Sequence, residues 1–249
     1  MAVTQLETMR EHMKELKLKA VSQIFEEEAE KAAKSNLSYT DYLARLLAAE
    51  VVRKVDSSVN TKINKARFPR QCTLEGFDFE FQPDLKVKQF KELANLSFVQ
   101  KKENVILMGP PGVGKTHLAI ALGIKACAAR LRVLFLTAGE LLDYLYASLA
   151  DMSTAAKLES LARLHLLIID ELGYMPIDKQ GANLVYQLIN RRYETGSIIL
   201  TTNLPFDRWD SVFGDSIISS AIIDRLVHHC HIFKINGNSY RVKDKLRKE

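Results

Sequence analysis

The chain has 249 residues, of which 47% are hydrophobic and 26% are charged, and its formal net charge is +5. This composition is typical of a soluble globular protein, and the length fits one large domain or a domain with a small extra module. No apolar run reaches the roughly 18 residues that a membrane-spanning helix needs, and the charged N-terminus lacks the apolar core of a signal peptide. We therefore expect a cytoplasmic protein with no membrane partner.

The three cysteines, Cys72, Cys127 and Cys230, are odd in number and widely spaced. They form no Cys-x-x-Cys pair, which argues against a disulfide framework or a zinc site. We expect them to be small buried side chains in a reducing compartment.

The first 66 or so residues have the pattern of helices. A stripe at spacings of three and four consists of Leu6, Met9, Met13, Leu16, Ala20 and Ile24. Ser38–Asp41 has the form of a capping box that opens a second helix. The following segment has no apolar period and contains two prolines and a glycine. We therefore predict an N-terminal helical module at residues 1–68, a linker at 69–83 and a main domain at 84–249.

The second predicted helix ends in a basic stretch. Its cationic residues are Arg53, Lys54, Lys62, Lys65, Arg67 and Arg70. A second basic cluster occupies the C-terminal tail, residues 241–248. Basic clusters on either side of an otherwise neutral stretch of chain indicate a polyanionic partner, and nucleic acid is the first candidate. A solvated helix face and a frayed tail would give the same pattern, so charge alone leaves both interpretations open.

From residue 105 onward, short apolar strands alternate with helices. The predicted strands are Val105–Met108, Arg132–Thr137, Leu166–Asp170, Ser197–Thr202 and His231–Ile235. Continuous apolar runs indicate strands that are buried on both faces, which is typical of a parallel sheet covered by helices. The fold class is therefore α/β.

The segment between the first predicted strand and a helix predicted at residues 116–130 is a phosphate-binding loop. Its candidate nucleotide-binding residues are Gly109, Pro110, Pro111, Gly112, Val113, Gly114, Lys115, Thr116 and His117. Glycines let backbone N–H groups turn toward phosphates, and the following helix N-terminus adds a favourable dipole. We expect Lys115 to contact the β- and γ-phosphates of ATP and the Thr116 hydroxyl to hold Mg²⁺.

Acidic and amide side chains follow two later strands. Asp170 ends the apolar run Leu166–Ile169 and is a candidate Mg²⁺ ligand, largely through water. Glu171 is the candidate base that orients and deprotonates the attacking water. Asn203 would reach the γ-phosphate or that water if its strand lies between those of the loop and of Asp170. The alternative for Asn203 is a turn-forming role.

Two arginines near the end of the chain are further candidates. Arg225, in an apolar helix before the last strand, could reach a neighbouring subunit's nucleotide, or it could form a local salt bridge. Arg241 is a second candidate with less support. The histidines His228, His229 and His231 have no carboxylate or cysteine arranged around them in the sequence, so we expect no metal there.

The chain resembles the IstB family of AAA+ ATPases, helpers of insertion-sequence transposition that are related to DnaC helicase loaders. The resemblance runs from roughly Leu16 to Lys245. It is carried by Leu74–Phe79, Gly109–Ala119, Ile168–Asp178, Gln180–Asn203, Phe213–Asp215, Asp224–His229 and Asn238–Asp244.

The resemblance implies a P-loop NTPase fold with a five-stranded sheet and a bacterial protein that associates with the nucleoid when it is on DNA. Such proteins bind ATP, assemble as multimers on duplex DNA and bend it. They recruit and stimulate a transposase, whose arrival promotes ATP hydrolysis. Lys115 and Thr116 then correspond to phosphate and Mg²⁺ ligands, Asp170 and Glu171 to the hydrolytic pair, and Asn203 to the first sensor. Arg225 corresponds to the arginine that acts across a subunit interface.

The sequence departs from the broader AAA+ pattern after the last predicted strand. Only about 14 residues follow it, too few for the usual helical lid. We expect no full lid domain, and Arg241 is the candidate substitute for the lid's sensor arginine. A DnaC-like helicase loader is the alternative function. A small-molecule kinase is disfavoured because no acceptor-binding lid is recognisable.

Overall fold

The computed structural model describes residues 4–242. The chain divides into two compact units, the first ending at Thr61 and the second beginning at Lys62. We had predicted this boundary at residue 68.

The first unit contains α1 (Gln5–Glu15), α2 (Lys19–Lys34) and most of α3 (Tyr39–Lys65). The apolar stripe predicted as one helix is divided between α1 and α2. Lys17 adopts a left-handed conformation with a φ of 56°, and the N–H of Leu18 bonds to the carbonyl of Met13 at 2.8 Å. This is the six-residue bond of a Schellman motif, which ends α1 with a residue other than glycine.

The core of the first unit is small. Val21, Phe25 and Leu46 are buried, and Tyr42 donates its hydroxyl to the carbonyl of Phe25 at 3.0 Å. At the start of α3, the N–H of Asp41 donates to the Ser38 hydroxyl at 3.1 Å, as the capping box predicted.

A glutamate of α3 caps the beginning of α2. Glu50 is only 3% exposed, and its Oε2 accepts hydrogen bonds from the N–H groups of Ala20 and Val21 at 2.7 and 3.2 Å. Arg53 binds its other oxygen at 2.6 Å. Burial acts to raise the pKa of Glu50, but the hydrogen bonds from Arg53 and the two amides prevail, and the pKa lies below its ordinary value. The glutamate thus supplies the cap that α2 lacks locally.

The second unit is a parallel sheet with helices on both faces. Its strands are β1 (Asn104–Met108), β2 (Val133–Thr137), β3 (Leu166–Leu172), β4 (Ser197–Thr202) and β5 (Cys230–Lys234). Its helices are α4 (Val87–Glu92), α5 (Ser97–Gln100), α6 (Lys115–Ala128), α7 (Ala138–Ala150), α8 (Thr154–Ala162), α9 (Lys179–Arg192), α10 (Trp209–Phe213) and α11 (Ser216–Val227).

The strand order is β2-β3-β4-β1-β5, and every neighbouring pair is parallel. Side chains of β1 alternate between the faces: Val105 and Leu107 pack in the cluster that includes α6, and Ile106 packs in the one that includes α9. The predicted α/β fold with five parallel strands is confirmed.

The segment that we predicted as a linker, residues 69–83, is part of the second unit. Cys72 and Leu74 are buried in the cluster that includes α6, so the segment packs as core although it has no regular structure. Just before it, the carbonyl of Ala66 accepts a hydrogen bond from the N–H of Phe135 at 2.8 Å. This bond satisfies an N–H on the edge strand β2 and holds the end of α3 to the sheet.

Among the described residues, no helix is long and apolar enough to span a membrane. The three cysteines are free thiols; Cys72 and Cys127 are buried, as expected, and Cys230 is half-buried.

Candidate functional site

A cavity of about 610 Å³ opens at the carboxyl ends of the strands, where the loop between β1 and α6 meets the ends of β3 and β4. Its size falls within the range of ligand sites in proteins. It brings together Lys115, Thr116, Glu171 and Asn203, which lie far apart in the sequence. This is the edge where open parallel sheets bind ligands.

The glycines of the loop permit both its turn and its close packing. Gly112 and Gly114 have φ values of 84° and 98°. A Cβ at Gly112 would lie 2.0 Å from the hydroxyl oxygen of Ser239, and one at Gly114 would lie 2.4 Å from the ring of Phe77. Other residues would be strained there and would also collide with a neighbour.

Lys115, the first residue of α6, curls back over the loop. Its ammonium group donates to the carbonyls of Gly109 and Pro110 at 2.7 and 2.8 Å. Burial lowers the pKa of Lys115, while the negative charge of Asp170 acts in the opposite direction. The two hydrogen bonds hold the lysine over the loop.

Thr116 and Asp170 meet directly. The Thr116 hydroxyl lies 3.0 Å from both carboxylate oxygens of Asp170, and the Thr201 hydroxyl donates to one of them at 2.6 Å. Asp170 is only 3% exposed. Burial raises the pKa of this carboxyl above its ordinary value, against the effect of the hydrogen bonds from Thr201 and Thr116. Hard oxygen donors in this arrangement fit a divalent cation such as Mg²⁺.

A register shift in β3 gives the adjacent residues Asp170 and Glu171 different surroundings. β3 pairs with β4 up to Ile169, and the register has changed when pairing resumes at Leu172. Within this irregularity, Glu171 has a φ of 62°, and its N–H donates to the Thr201 hydroxyl at 2.9 Å. The buried Asp170 is thus followed by an exposed carboxylate that lines the cavity.

Asn203 follows β4 directly and lines the same cavity. β4 pairs with β1 on one side and with β3 on the other. It therefore lies between the strand of the loop and the strand of Asp170, as the predicted role of Asn203 requires. Its role toward a nucleotide stays a prediction, as do the roles of the other site residues.

The segment after β5 packs against the loop. The N–H of Tyr240 donates to the carbonyl of Gly112 at 2.9 Å. Gln82 donates from its side chain to the carbonyl of Asn238 at 2.9 Å, which joins the segments before and after the sheet. The two aromatic rings of Phe81 and Tyr240 meet edge to face at 5.3 Å.

Arg241 and His117 both lie at this cavity, as their assignment as nucleotide-binding residues requires. His117 contacts the carbonyl of Thr73 through Nε2 at 2.8 Å and packs against Phe77. The side chains of Phe77 and Gln82 also line the cavity, although we did not predict them as site residues. The segment Leu74–Phe79, which carries part of the family resemblance, contains Phe77 and was the available signal.

Arg225 does not line the cavity of its own chain. Its guanidinium donates to the side chain of Asn190 at 2.9 Å and to the carbonyl of Ala221 at 3.1 Å, and it lies over the ring of Tyr186 at 5.0 Å. A role across a subunit interface stays a prediction.

The basic residues proposed for DNA contact differ in their surroundings. Arg53 binds the buried Glu50, and Arg70 lines the same cavity as Lys115. The DNA contact that their charge predicts stays a prediction for both. The others have exposed or half-exposed side chains; they are Lys54, Lys62, Lys65 and Arg67.

The histidines near the last strand have carboxylate neighbours, contrary to our expectation. Glu194 lies 3.7 Å from His229, and Glu103 lies 2.8 Å from His231. The Tyr193 hydroxyl contacts His228 at 2.8 Å. These glutamates come from distant parts of the chain, so no local sequence pattern revealed them.

The family of IstB-like ATP binding proteins matches residues 11–248. The protein of insertion sequence IS21 from Pseudomonas aeruginosa, described as ATP-binding, is 45% identical over 230 residues, which are 92% of this chain and 87% of that protein.

Two solved structures show the likeness of fold. AMPPCP-bound DnaA from Aquifex aeolicus has a TM-score of 0.58 at 21% identity, over 73% of this chain and 56% of that chain. The DnaC helicase loader has a TM-score of 0.51 at 20% identity, over 60% of this chain and 88% of that chain. The architecture is that of P-loop AAA+ proteins. The family match and the Pseudomonas relative, each covering most of the chain, show that this chain belongs to the IstB-like family, the ATP-binding proteins of insertion sequences.

Proposed function

We propose that this chain is a Mg²⁺-dependent ATPase that helps its insertion sequence to transpose. It assembles with ATP as a multimer on duplex DNA, bends the target, recruits and stimulates the cognate transposase, and then hydrolyses ATP. The observation that carries the hydrolytic part is the pair of unlike carboxylates, Asp170 and Glu171, beside the loop that ends in Lys115 and Thr116.

The binding of ATP is assigned to the loop and its flanks. Backbone N–H groups at residues 109–116 and the N-terminus of α6 would hold the phosphates, with Lys115 as the neighbouring cation. Tyr240 and Arg241 would close the site from the side of the segment after β5. The DnaA structure with AMPPCP supports this use of the fold.

Thr116 and Asp170 would hold the magnesium ion, which neutralises phosphate charge when it is bound. Glu171 has the properties of the base: it is exposed to the cavity and is the next residue after the buried Asp170. A carboxylate in this position can orient a water molecule and accept its proton. Asn203 would orient the same water or the γ-phosphate.

The DNA part of the proposal rests on the insertion-sequence relatives and on the exposed cations Lys54, Lys65 and Arg67. Backbone contacts of lysine and arginine carry no sequence information, which suits a protein that accepts many targets. A helicase loader, the alternative, would share the ATPase core, but the likeness to the DnaC loader extends to the fold alone.

Gel shift with duplex DNA of random sequence tests the proposal. We expect cooperative binding that requires ATP and Mg²⁺ and that weakens steeply with salt, because binding releases counterions from the phosphates. Lys115→Ala, which lacks the loop cation, is the control that should not assemble on DNA by itself.

Binding that is insensitive to salt, or that is confined to single strands, would contradict a duplex-bound assembly. Stimulation of a replicative helicase without any effect on the transposase would favour the loader instead. Electron microscopy with a slowly hydrolysed ATP analogue would give the number of subunits.

A further inference from the structure

We propose that Arg70 is a nucleotide-contacting residue that binds the γ-phosphate of ATP held by its own chain, rather than a DNA-contacting residue. The inference rests on the ATP binding proposed above and adds a residue to that site.

The first step is the position of Arg70. It lines the cavity together with Lys115, Thr116, Glu171 and Asn203, the side chains expected around the terminal phosphate. Arg70 is an exposed residue on the wall of this cavity.

The second step is electrostatic. Arg70 adds a positive charge to the cavity that Lys115 and Arg241 also line. Its charge acts on the Asp170 carboxyl, as that of Lys115 does. Arg70 belongs to the segment before the sheet, and Arg241 belongs to the segment after it.

The third step is how the chain holds Arg70 in place. On one side, Phe68 packs edge to face on Phe135 at 6.2 Å, and Pro69 restricts the backbone. On the other side, Cys72 and Leu74 are buried in the core. Arg70 thus projects from a short segment that is anchored at both ends, which lowers the entropy lost when it binds a ligand.

The fourth step is chemical. A guanidinium carries several N–H donors in a planar fork and suits the oxygens of a terminal phosphate. An ADP molecule lacks that phosphate, so a residue that contacts it distinguishes ATP from ADP. In DNA binding, the same arginine would add affinity without any dependence on which nucleotide is bound.

The test compares Arg70→Ala with Arg67→Ala in the full chain without DNA. Arg67 is the matched control because it belongs to the same basic segment, is exposed and does not line the cavity. Equilibrium titrations would use a fluorescent ADP and a fluorescent, slowly hydrolysed ATP analogue. We expect Arg70→Ala to lose about tenfold in affinity for the ATP analogue, the effect of one charged hydrogen bond, and to bind ADP as the unmodified chain does.

Arg67→Ala should bind both nucleotides normally, and Arg70→Lys should recover part of the lost affinity because it restores the charge without the fork. Normal affinity of Arg70→Ala for both nucleotides would overturn the inference, and weaker DNA binding in a separate gel shift would then return Arg70 to the DNA-contacting residues. An equal loss of ATP-analogue and ADP affinity would overturn it too, since the residue would then not distinguish the terminal phosphate. Failure of the unmodified chain to bind ATP would instead refute the proposed function itself. If Arg70→Ala does not fold, Arg70→Gln provides the same comparison.

Discussion

At the scale of single residues, the two adjacent carboxylates of β3 illustrate how backbone geometry separates chemical roles. Asp170 points into the protein, where two hydroxyl groups bind it. Glu171 has a left-handed backbone and is exposed. A regular strand also sends successive side chains to opposite faces, but here the register shift directs the second one to the cavity. Strain of this kind in a non-glycine residue is common at functional sites.

The Glu171→Gln variant tests the separation of these roles. It should bind nucleotide and DNA normally but hydrolyse ATP at least about a hundredfold more slowly, because an amide cannot accept the proton of the water. Phosphate release measured on the DNA-bound assembly would show the loss. Glu194→Gln is a suitable control, since Glu194 is also an exposed glutamate with positive φ but lies outside the cavity. Unchanged turnover in Glu171→Gln would remove Glu171 from its proposed role.

At the scale of elements, a polar contact joins α2 and α3 of the first unit in addition to its small core. Leu18, at the N-cap position of α2, offers no side-chain hydrogen bond. Glu50 of α3 binds the free amides instead, and Arg53 balances its charge. A carboxylate at a helix N-terminus also interacts favourably with the helix dipole.

Replacing this glutamate should therefore destabilise the first unit. We expect Glu50→Ala to cost about 1–3 kcal/mol, because it leaves two amides and a guanidinium without their acceptor. Hydrogen exchange at the amides of α2, read by mass spectrometry, would show the loss of protection locally. Glu30→Ala is the matched control, since the 3.8 Å ion pair of Glu30 with Lys34 is exposed and its loss should change stability by less than about 0.5 kcal/mol. Equal protection of α2 in the two variants would refute the role of Glu50.

Sequence patterns were sufficient to predict where the strands lie, because each strand is an apolar run that ends at polar residues or glycine. They also predicted that Lys115, Asp170 and Asn203 lie close together, since parallel strands present their carboxyl ends at one edge of the sheet. They do not reveal which contacts a charged side chain makes. Arg53 and Arg70 look alike in the sequence, yet one binds a buried glutamate and the other lines the cavity.

At the scale of the whole molecule, the question is whether the site is completed by a second subunit. The guanidinium of Arg225 rests on α9 of its own chain, outside the cavity. If it acts across an interface, activity belongs to the assembly and a chain lacking Arg225 can still provide a complete loop.

Mixing variants tests this arrangement. Arg225→Ala and Lys115→Ala should each be inactive alone, and their mixture should regain part of the ATPase activity, because mixed interfaces pair an intact loop with an intact arginine. Lys115→Ala mixed with Glu171→Gln is the control, since both residues serve the same chain's site and no mixed interface restores them. Absence of recovery in the first mixture, together with lower thermal stability of Arg225→Ala, would assign Arg225 a structural role.

The hydrogen bond between Gln82 and Asn238 has a consequence for the synthesis of the protein. The two residues are 156 positions apart, and both belong to segments that border the cavity. A ribosome adds roughly 5–20 residues per second, so a chain that already contains the loop waits several seconds for the segment that covers it. Until Asn238 and its neighbours have emerged, the growing chain lacks one wall of its ATP site. A growing chain would thus complete this wall of the cavity only after Asn238 has emerged, 156 positions after Gln82.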